Sequence, residues 1–239
     1  MRGMLFWGAL PFVVPQALYV RMIAPRFPPA AGPTFGSSGR GRPLRLIGIG
    51  DSIIAGVGAG RLRDALIGQT ARALAANLQA RVRWSALGRN GANSRIVLQQ
   101  LLPELPPDRA DVFVVSVGVN DVTSLTRLAD WKKNVDQLLR SLRAHSPHSF
   151  IAVAGLPPLH EFPLLPEPLR VILGMRARTL DEMLRDVVVA ADNSIFIDLD
   201  FDASPEKFAD DGYHPSVYGY REYGETMARR IAAALADNR

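Results

Sequence analysis

The sequence predicts an α/β domain, a three-layer α/β/α sandwich around a parallel five-stranded sheet. Three observations lead there. From residue 44 onward, short apolar runs alternate with longer stretches of helical period. The first, third and fourth of those runs are nearly continuous in apolar residues, as strands covered on both faces must be. The length of 239 residues, 48% of them hydrophobic, supplies one large core and is too short for two domains of ordinary size.

Three parts follow one another along the chain: an apolar N-terminal segment over 1–23, a linker over 24–43, and the main domain over 44–239. In the first, Met4 to Val20 is interrupted only by Gln16 and carries Pro11 and Pro15. Its 17 residues stand at the lower edge of what spans a bilayer. The preferred reading is a membrane segment. A cleaved signal peptide and a soluble packing arm are the alternatives. A cleaved peptide wants small residues spaced for cleavage, and Leu18-Tyr19-Val20-Arg21 offers none. If the segment spans, one arginine precedes it and five follow, which favours a cytoplasmic main domain, with a secreted or periplasmic one as the alternative. The same arginines are equally suited to rest on anionic headgroups.

The linker is dense in proline, glycine and serine and keeps no period. After it, strands are predicted at Leu44–Gly50, Val82–Ala86, Asp111–Val117, Ser149–Gly155 and Ser194–Asp198. Helices are predicted at Asp64–Ala80, Ser94–Leu102, Trp131–Ala144, Leu169–Ala191 and Ser216–Ala236. In such a sheet the ligand sits beyond the carboxyl ends of the strands.

Composition removes several classes of chemistry. Without cysteine there is no thiolate nucleophile, disulfide framework or thiolate metal site. The net charge of +5 does not argue for nucleic acid, because residues 1–45 hold six arginines and no acid. The remainder has 22 basic against 23 acidic residues, so the body is near neutral.

The first strand ends in Gly50-Asp51-Ser52, which delivers a serine to the reactive rim; taken alone, such a serine is more often a helix cap. The second is followed by Asn90-Gly91-Ala92-Asn93-Ser94, where Gly91 can expose its amide, and Gly88 competes for that role. The third ends in Gly118-Val119-Asn120-Asp121, whose asparagine is either a turn residue or a donor to a developing oxyanion. Before the last helix stands Asp211-Gly212-Tyr213-His214, a three-residue spacing that lets the carboxylate hold the imidazole. An oriented imidazole is what turns a serine hydroxyl into a nucleophile.

Gly50-Asp51-Ser52, Gly91, Gly118-x-Asn120-Asp121 and Asp211-x-x-His214, in that order, resemble the four blocks of the SGNH/GDSL hydrolases over residues 44 to about 236. The resemblance implies their flavodoxin-like sandwich, with Ser52 as nucleophile, His214 as base and Asp211 as its orienter. It also implies an oxyanion hole made by the Ser52 and Gly91 amides and the Asn120 side chain. Ile53 stands where the family has leucine, a tolerable apolar exchange.

Other constellations do not hold. There is no GxSxG elbow. Gly56-Val57-Gly58-Ala59-Gly60-Arg61 lacks the third glycine of a dinucleotide fingerprint. Asp198-x-Asp200-x-Asp202 opens like a calcium loop, but Ala203 and Ala209 replace its glycine and glutamate. His145, His148 and His160 have no metal-ligand spacing and are expected at the surface. Neither a metal nor a cofactor is implied.

Leu156-Pro157-Pro158-Leu159-His160-Glu161-Phe162 follows the fourth strand at the same rim. Leu156, Pro157, Leu159 and Phe162 are candidate substrate-binding residues, with Asp51 beside them: the loop is either an apolar, proline-stiffened acyl wall or a loop merely packed on a helix. The expected activity is hydrolysis of carboxylic esters, with lipid or lysophospholipid-type esters favoured because of the membrane segment. Thioester hydrolysis, sugar deacetylation and O-acyl transfer use the same residues and stay open, and a membrane-tethered binding module is the reading without catalysis. The partners expected are an ester substrate and, through the N-terminal segment, a membrane, with no nucleic acid. Oligomeric state is not legible.

Overall fold

The structure, a computed structural model, describes residues 2–199 and 202–237, and within them the side chains from Val13 onward. A six-stranded sheet carries the strand order β1-β3-β2-β4-β5-β6. Five strands are parallel: β2 (Arg42–Gly50), β3 (Ala80–Gly88), β4 (Val112–Ser116), β5 (Phe150–Ala154) and β6 (Ser194–Ile197). They are the five that the apolar runs predict, in the doubly wound order whose chain reversal opens a crevice between β2 and β4.

The sixth is an addition. β1 (Phe35–Ser38) pairs antiparallel with β3, from Phe35 opposite Ser85 to Ser38 opposite Val82. Its Phe-Gly-Ser-Ser sequence has no strand alternation, which is why it reads as linker. The pairing comes from the free edge of β3, whose amides and carbonyls need partners.

Alternation along each strand sends side chains to two separate cores. Leu46, Val112, Val114 and Ala152 face a layer built by α2 (Leu66–Leu78) and α7 (Val217–Asp237). Ile47, Ile49, Phe113, Val115, Ile151 and Val153 face α5 (Leu128–His145) and α6 (Leu169–Val189). α5 shows how the sequence does this: Trp131, Val135, Leu138, Leu139 and Leu142 recur at helical spacing and are buried. The Trp131 Nε1 then donates to the Leu180 carbonyl of α6 at 3.0 Å.

Where one helix is expected over Ser94–Leu102, the chain makes one α turn, α3 (Ser94–Ile96), widens into a π turn over Val97–Leu101 and tightens into a 3₁₀ turn over Leu102–Glu104. Pro103 lacks the amide that a longer helix would need there. A last short helix, α4 (Val119–Thr123), follows β4.

The N-terminal segment is a helix, α1 (Arg2–Ile23). Up to Phe12 the side chains of the expected membrane segment lie outside the described residues, and among the described residues no helix is long and apolar enough to cross a membrane. From Val13 on, one face of α1 packs on α6. Val13 and Val20 are buried. The Gln16 Nε2 donates to the Glu167 carbonyl at 2.8 Å, and its Oε1 accepts from the Leu169 amide at 3.2 Å.

The Tyr220 hydroxyl of α7, wholly buried, donates to the Val57 carbonyl at 2.6 Å. Tyr220→Phe leaves that carbonyl unpaired in the interior, so it is expected to cost about 1–3 kcal/mol of stability with the fold retained. Denaturation midpoints of the two proteins check this, and an unchanged midpoint refutes it.

Candidate active site

The turn after β2 carries Ser52, and it is fixed by its own backbone. The Asp51 amide donates to the Ser116 carbonyl of β4 at 3.1 Å, and the Ala55 and Val57 amides donate to the Asp51 and Ser52 carbonyls at 3.0 Å each. Asp211 and His214 lie on the loop before α7, closed by the Ala209 amide donating to the His214 carbonyl at 2.8 Å.

These two turns meet. The His214 Nε2 is 3.0 Å from the Ser52 Oγ, and its Nδ1 is 2.6 Å from the Asp211 Oδ2. Asp211 also accepts the Tyr213 and His214 amides at 2.9 Å each on its other oxygen. With Nδ1 held by a carboxylate, the proton sits there and Nε2 is free to accept from the serine. Such a relay raises the nucleophilicity of a hydroxyl.

Gly91 and Asn120 occupy the loops after β3 and β4. At Gly91, φ is +77° and a Cβ would meet nothing within 4 Å, so its backbone faces open space. Gly88 differs: a Cβ there would stand 2.1 Å from the Ala55 amide nitrogen, so it serves packing. The Asn120 Nδ2 donates to the Ala92 carbonyl at 3.0 Å, which joins the two loops. Behind them, the buried Asp121 accepts from the Ser94 amide at 2.8 Å and the Ser94 Oγ at 2.7 Å. Asn134 adds a donor to the same Ser94 Oγ at 2.9 Å. Sequence reasoning gave this clamp no role, although Asp121 adjoins Asn120 in the motif.

On the other side of Ser52 a cavity of about 80 Å³ opens, lined mainly by apolar groups. Asp51, Leu156, Pro157 and Phe162 line it together with Ser52 and His214. Leu159 does not. It begins a 3₁₀ turn and is wholly buried in the core beneath, because that turn points every third residue inward. The sequence reading also missed the far wall, made by Leu199, Phe208, Tyr213 and Tyr223. Of these only Tyr213 had a local signal, lying between Asp211 and His214. Aromatic edges tie the wall to the imidazole: Phe162 meets Phe208 at 5.5 Å and Tyr213 at 5.2 Å, and Tyr213 meets His214 at 5.2 Å, all T-shaped.

Of the three remaining histidines, His145 is not a surface residue. It is half-buried, edge-on to Phe113, with Nε2 2.9 Å from the Pro106 carbonyl and Nδ1 2.9 Å from the Ser146 Oγ. His148 and His160 are exposed or nearly so. Among the described residues no three His, Cys, Asp or Glu side chains cluster as a metal site; Asp200 of the acidic run at 198–202 lies outside them.

The two aspartates titrate in opposite directions. Burial pushes Asp211 up, but the hydrogen bonds from the His214 ring and from the His214 and Tyr213 amides outweigh it and hold the carboxyl below the usual range. For Asp51, burial prevails over the donors Ile53 N at 3.1 Å and Ser116 Oγ at 3.2 Å, and raises it from 3.8 to about 6.

The family model of the GDSL-like lipase/acylhydrolase family matches residues 49–222. A serine at the carboxyl edge of a parallel sheet, in reach of a carboxylate-held imidazole, defines the α/β hydrolytic class. Within that class the chain belongs to the GDSL-like lipase/acylhydrolase family, and it is an ester-hydrolysing enzyme. Among solved structures it is similar to a lipase/acylhydrolase from Enterococcus faecalis, 24% identical, TM-score 0.63, covering 80% of this chain and 96% of that one. The lipase Lip_vut3 from a goat rumen metagenome is 19% identical, TM-score 0.63, over 80% of this chain and 97% of that one. A family 3 carbohydrate esterase from Clostridium thermocellum is 18% identical, TM-score 0.61, over 82% of this chain and all of that one. A comparison with curated protein sequences finds no match.

Because the folded Asp51 carboxyl titrates near 6 instead of 3.8, the folded state favours its protonated form. The penalty is absent below about pH 4, builds as pH rises and is complete above about 6. Asp51→Asn keeps an acceptor for Ile53 and Ser116, so it is expected to stabilise the fold by about 1–3 kcal/mol above pH 6 and to leave it unchanged near pH 4. Urea midpoints at the two pH values check it. An equal shift at both assigns the change to packing, not charge.

Proposed function

We propose that this protein hydrolyses carboxylic esters through an acyl-serine intermediate on Ser52, and that its substrates carry an apolar acyl group, as lipid-type esters do. The observation that carries the reading is the hydrogen-bonded run Ser52, His214, Asp211 opening on an apolar cavity.

In the first step His214 Nε2 takes the Ser52 proton as Oγ bonds to the ester carbonyl carbon, and the carbonyl electron pair moves onto oxygen. The Ser52 and Gly91 amides and Asn120 Nδ2 receive that oxyanion. Nδ2 has two hydrogens, and only one is committed to Ala92, so the other is available. Collapse expels the alkoxide, which takes the proton from the imidazolium and leaves as the alcohol. Water then repeats the sequence on the acyl-serine and releases the acid. Asp211 stays ionised throughout and stabilises the imidazolium.

The acyl group is placed in the cavity, away from the oxyanion donors. About 80 Å³ is several times the roughly 10–15 Å³ that one water needs, so the cavity has room for an acyl group longer than acetyl. Turnover of p-nitrophenyl esters is thus expected to rise from acetyl to longer acyl chains. A preference for acetyl alone favours sugar deacetylation instead, and product formed faster on added alcohol than on water favours acyl transfer.

Ser52→Ala should lose about three or more orders of magnitude in turnover with the fold retained. Mass analysis after an organophosphonate should find one adduct, at Ser52; an adduct elsewhere refutes the assignment. Asn120→Ala should lower kcat by about 10²–10³ with KM little changed, and an unchanged kcat removes Asn120 from the oxyanion site.

A further inference from the structure

We propose that the outward face of α1 docks on the surface of an anionic lipid bilayer, with the helix lying along that surface while its inner face stays attached to α6. Val14, Leu18 and Met22 follow one another at every fourth position on the face of the helix opposite Val13, Gln16 and Val20, with Tyr19 at the margin of that stripe and Ile23 exposed at the end of the helix. Val14, Leu18, Met22, Tyr19 and Ile23 are 42%, 58%, 77%, 57% and 54% exposed. Eleven large apolar side chains are exposed among the described residues, and five of them are gathered in these ten positions, which makes the stripe a surface built for a partner.

Charge identifies the partner. Arg21 and Arg26 are exposed at the same end of the helix, and residues 1–45 contain no acid. The nearby Glu167 is already paired with Arg170 at 2.6 Å. The helix is apolar on both faces, and with one of them already on the body, the apolar stripe bordered by cations on the other matches an interface of acyl chains beneath anionic headgroups. The stripe alone would also suit a spanning helix, but the opposite face is occupied. Val13 and Val20 are buried on the body, and Gln16 makes two hydrogen bonds to the backbone at Glu167 and Leu169. A spanning helix would give these up. The same two bonds sit directly after the 156–166 segment, whose Leu156, Pro157, Pro158 and Phe162 line the cavity and whose Pro163 and Pro166 are exposed. The proposal goes beyond the ester reading and does not depend on it, because binding is measured without turnover.

The test is co-sedimentation of the full-length protein with vesicles of phosphatidylcholine, alone and mixed with phosphatidylglycerol. The protein should bind the mixed vesicles, bind the neutral ones more weakly, lose part of its binding in high salt, and leave the vesicles in an alkaline carbonate wash. Combining Leu18→Ser, Tyr19→Ser and Met22→Ser should reduce binding by about tenfold or more. These side chains are exposed and away from the cavity, so hydrolysis of a soluble short-chain ester should stay at the wild-type rate. Absence of vesicle binding, equal binding by the triple variant, or retention through the alkaline wash would each overturn the proposal, the last by assigning a spanning helix. A protein that binds vesicles but cleaves no ester would refute the ester reading and leave this one standing.

Discussion

The hydrogen bond from the Tyr220 hydroxyl to the Val57 carbonyl joins the turn that carries Ser52 to the helix that follows His214. Ser52 and His214 are 162 positions apart, and nothing local brings them together. The packing of α7 on α2 does. Tyr220, Tyr223, Met227 and Ile231 recur at helical spacing and enter the same core as Leu66, Ile67, Ala71 and Leu74. That burial sets the angle at which the loop before α7 arrives at the sheet. Gly58 completes the fit, since a Cβ there would stand 2.3 Å from the Pro215 carbonyl oxygen, and its φ of +95° suits glycine. The glycines at 56–60 that superficially resemble a dinucleotide fingerprint therefore mark a close approach between the two halves of the site.

What could be read from the sequence is what is encoded locally. β2, β4 and β5 are nearly continuous apolar runs because both faces are covered, and each proposed site block follows a strand end or precedes a helix. The parts that escaped reading depend on distant partners. β1 exists because β3 has an open edge, and its own four residues hold no pattern. Leu159 and Leu156 look alike in sequence, but the 3₁₀ turn puts one in the core and the other on the cavity. Leu199, Phe208 and Tyr223 come from three separate segments after residue 197, and only the folded sheet gathers them on one wall.

Asp51 and Asp211 are both buried carboxyls close to His214, and their surroundings separate them. Asp211 has three donors, one of them the imidazole itself, and remains ionised. Asp51 has two neutral donors and takes its proton far more readily. In the proposed reaction this division matters. A positive imidazole stabilises both carboxylates, but only Asp211 touches the ring and fixes which nitrogen faces Ser52. Asp51 acts at longer range, so its protonation changes the field at His214 and leaves the relay's geometry in place.

The site is also divided in space, and in the proposed reaction that division would orient a substrate. On one side the loops with Gly91 and Asn120 are braced by Ala92, Ser94 and Asp121, a polar and fully bonded frame that can hold an oxyanion without rearranging. On the other, the side chains of Leu156, Pro157 and Phe162 offer no compensating hydrogen bond to a buried carbonyl oxygen. An ester entering with its carbonyl oxygen toward the apolar wall would leave that oxygen unpaired, whereas the reverse pose satisfies it and buries the acyl chain. In the proposed reaction, orientation at Ser52 thus follows from pairing the carbonyl oxygen on one side and burying the acyl chain on the other. In the proposed reaction, the aromatic edges from Phe208 through Phe162 and Tyr213 to His214 connect the wall assigned to the acyl group with the imidazole assigned as base.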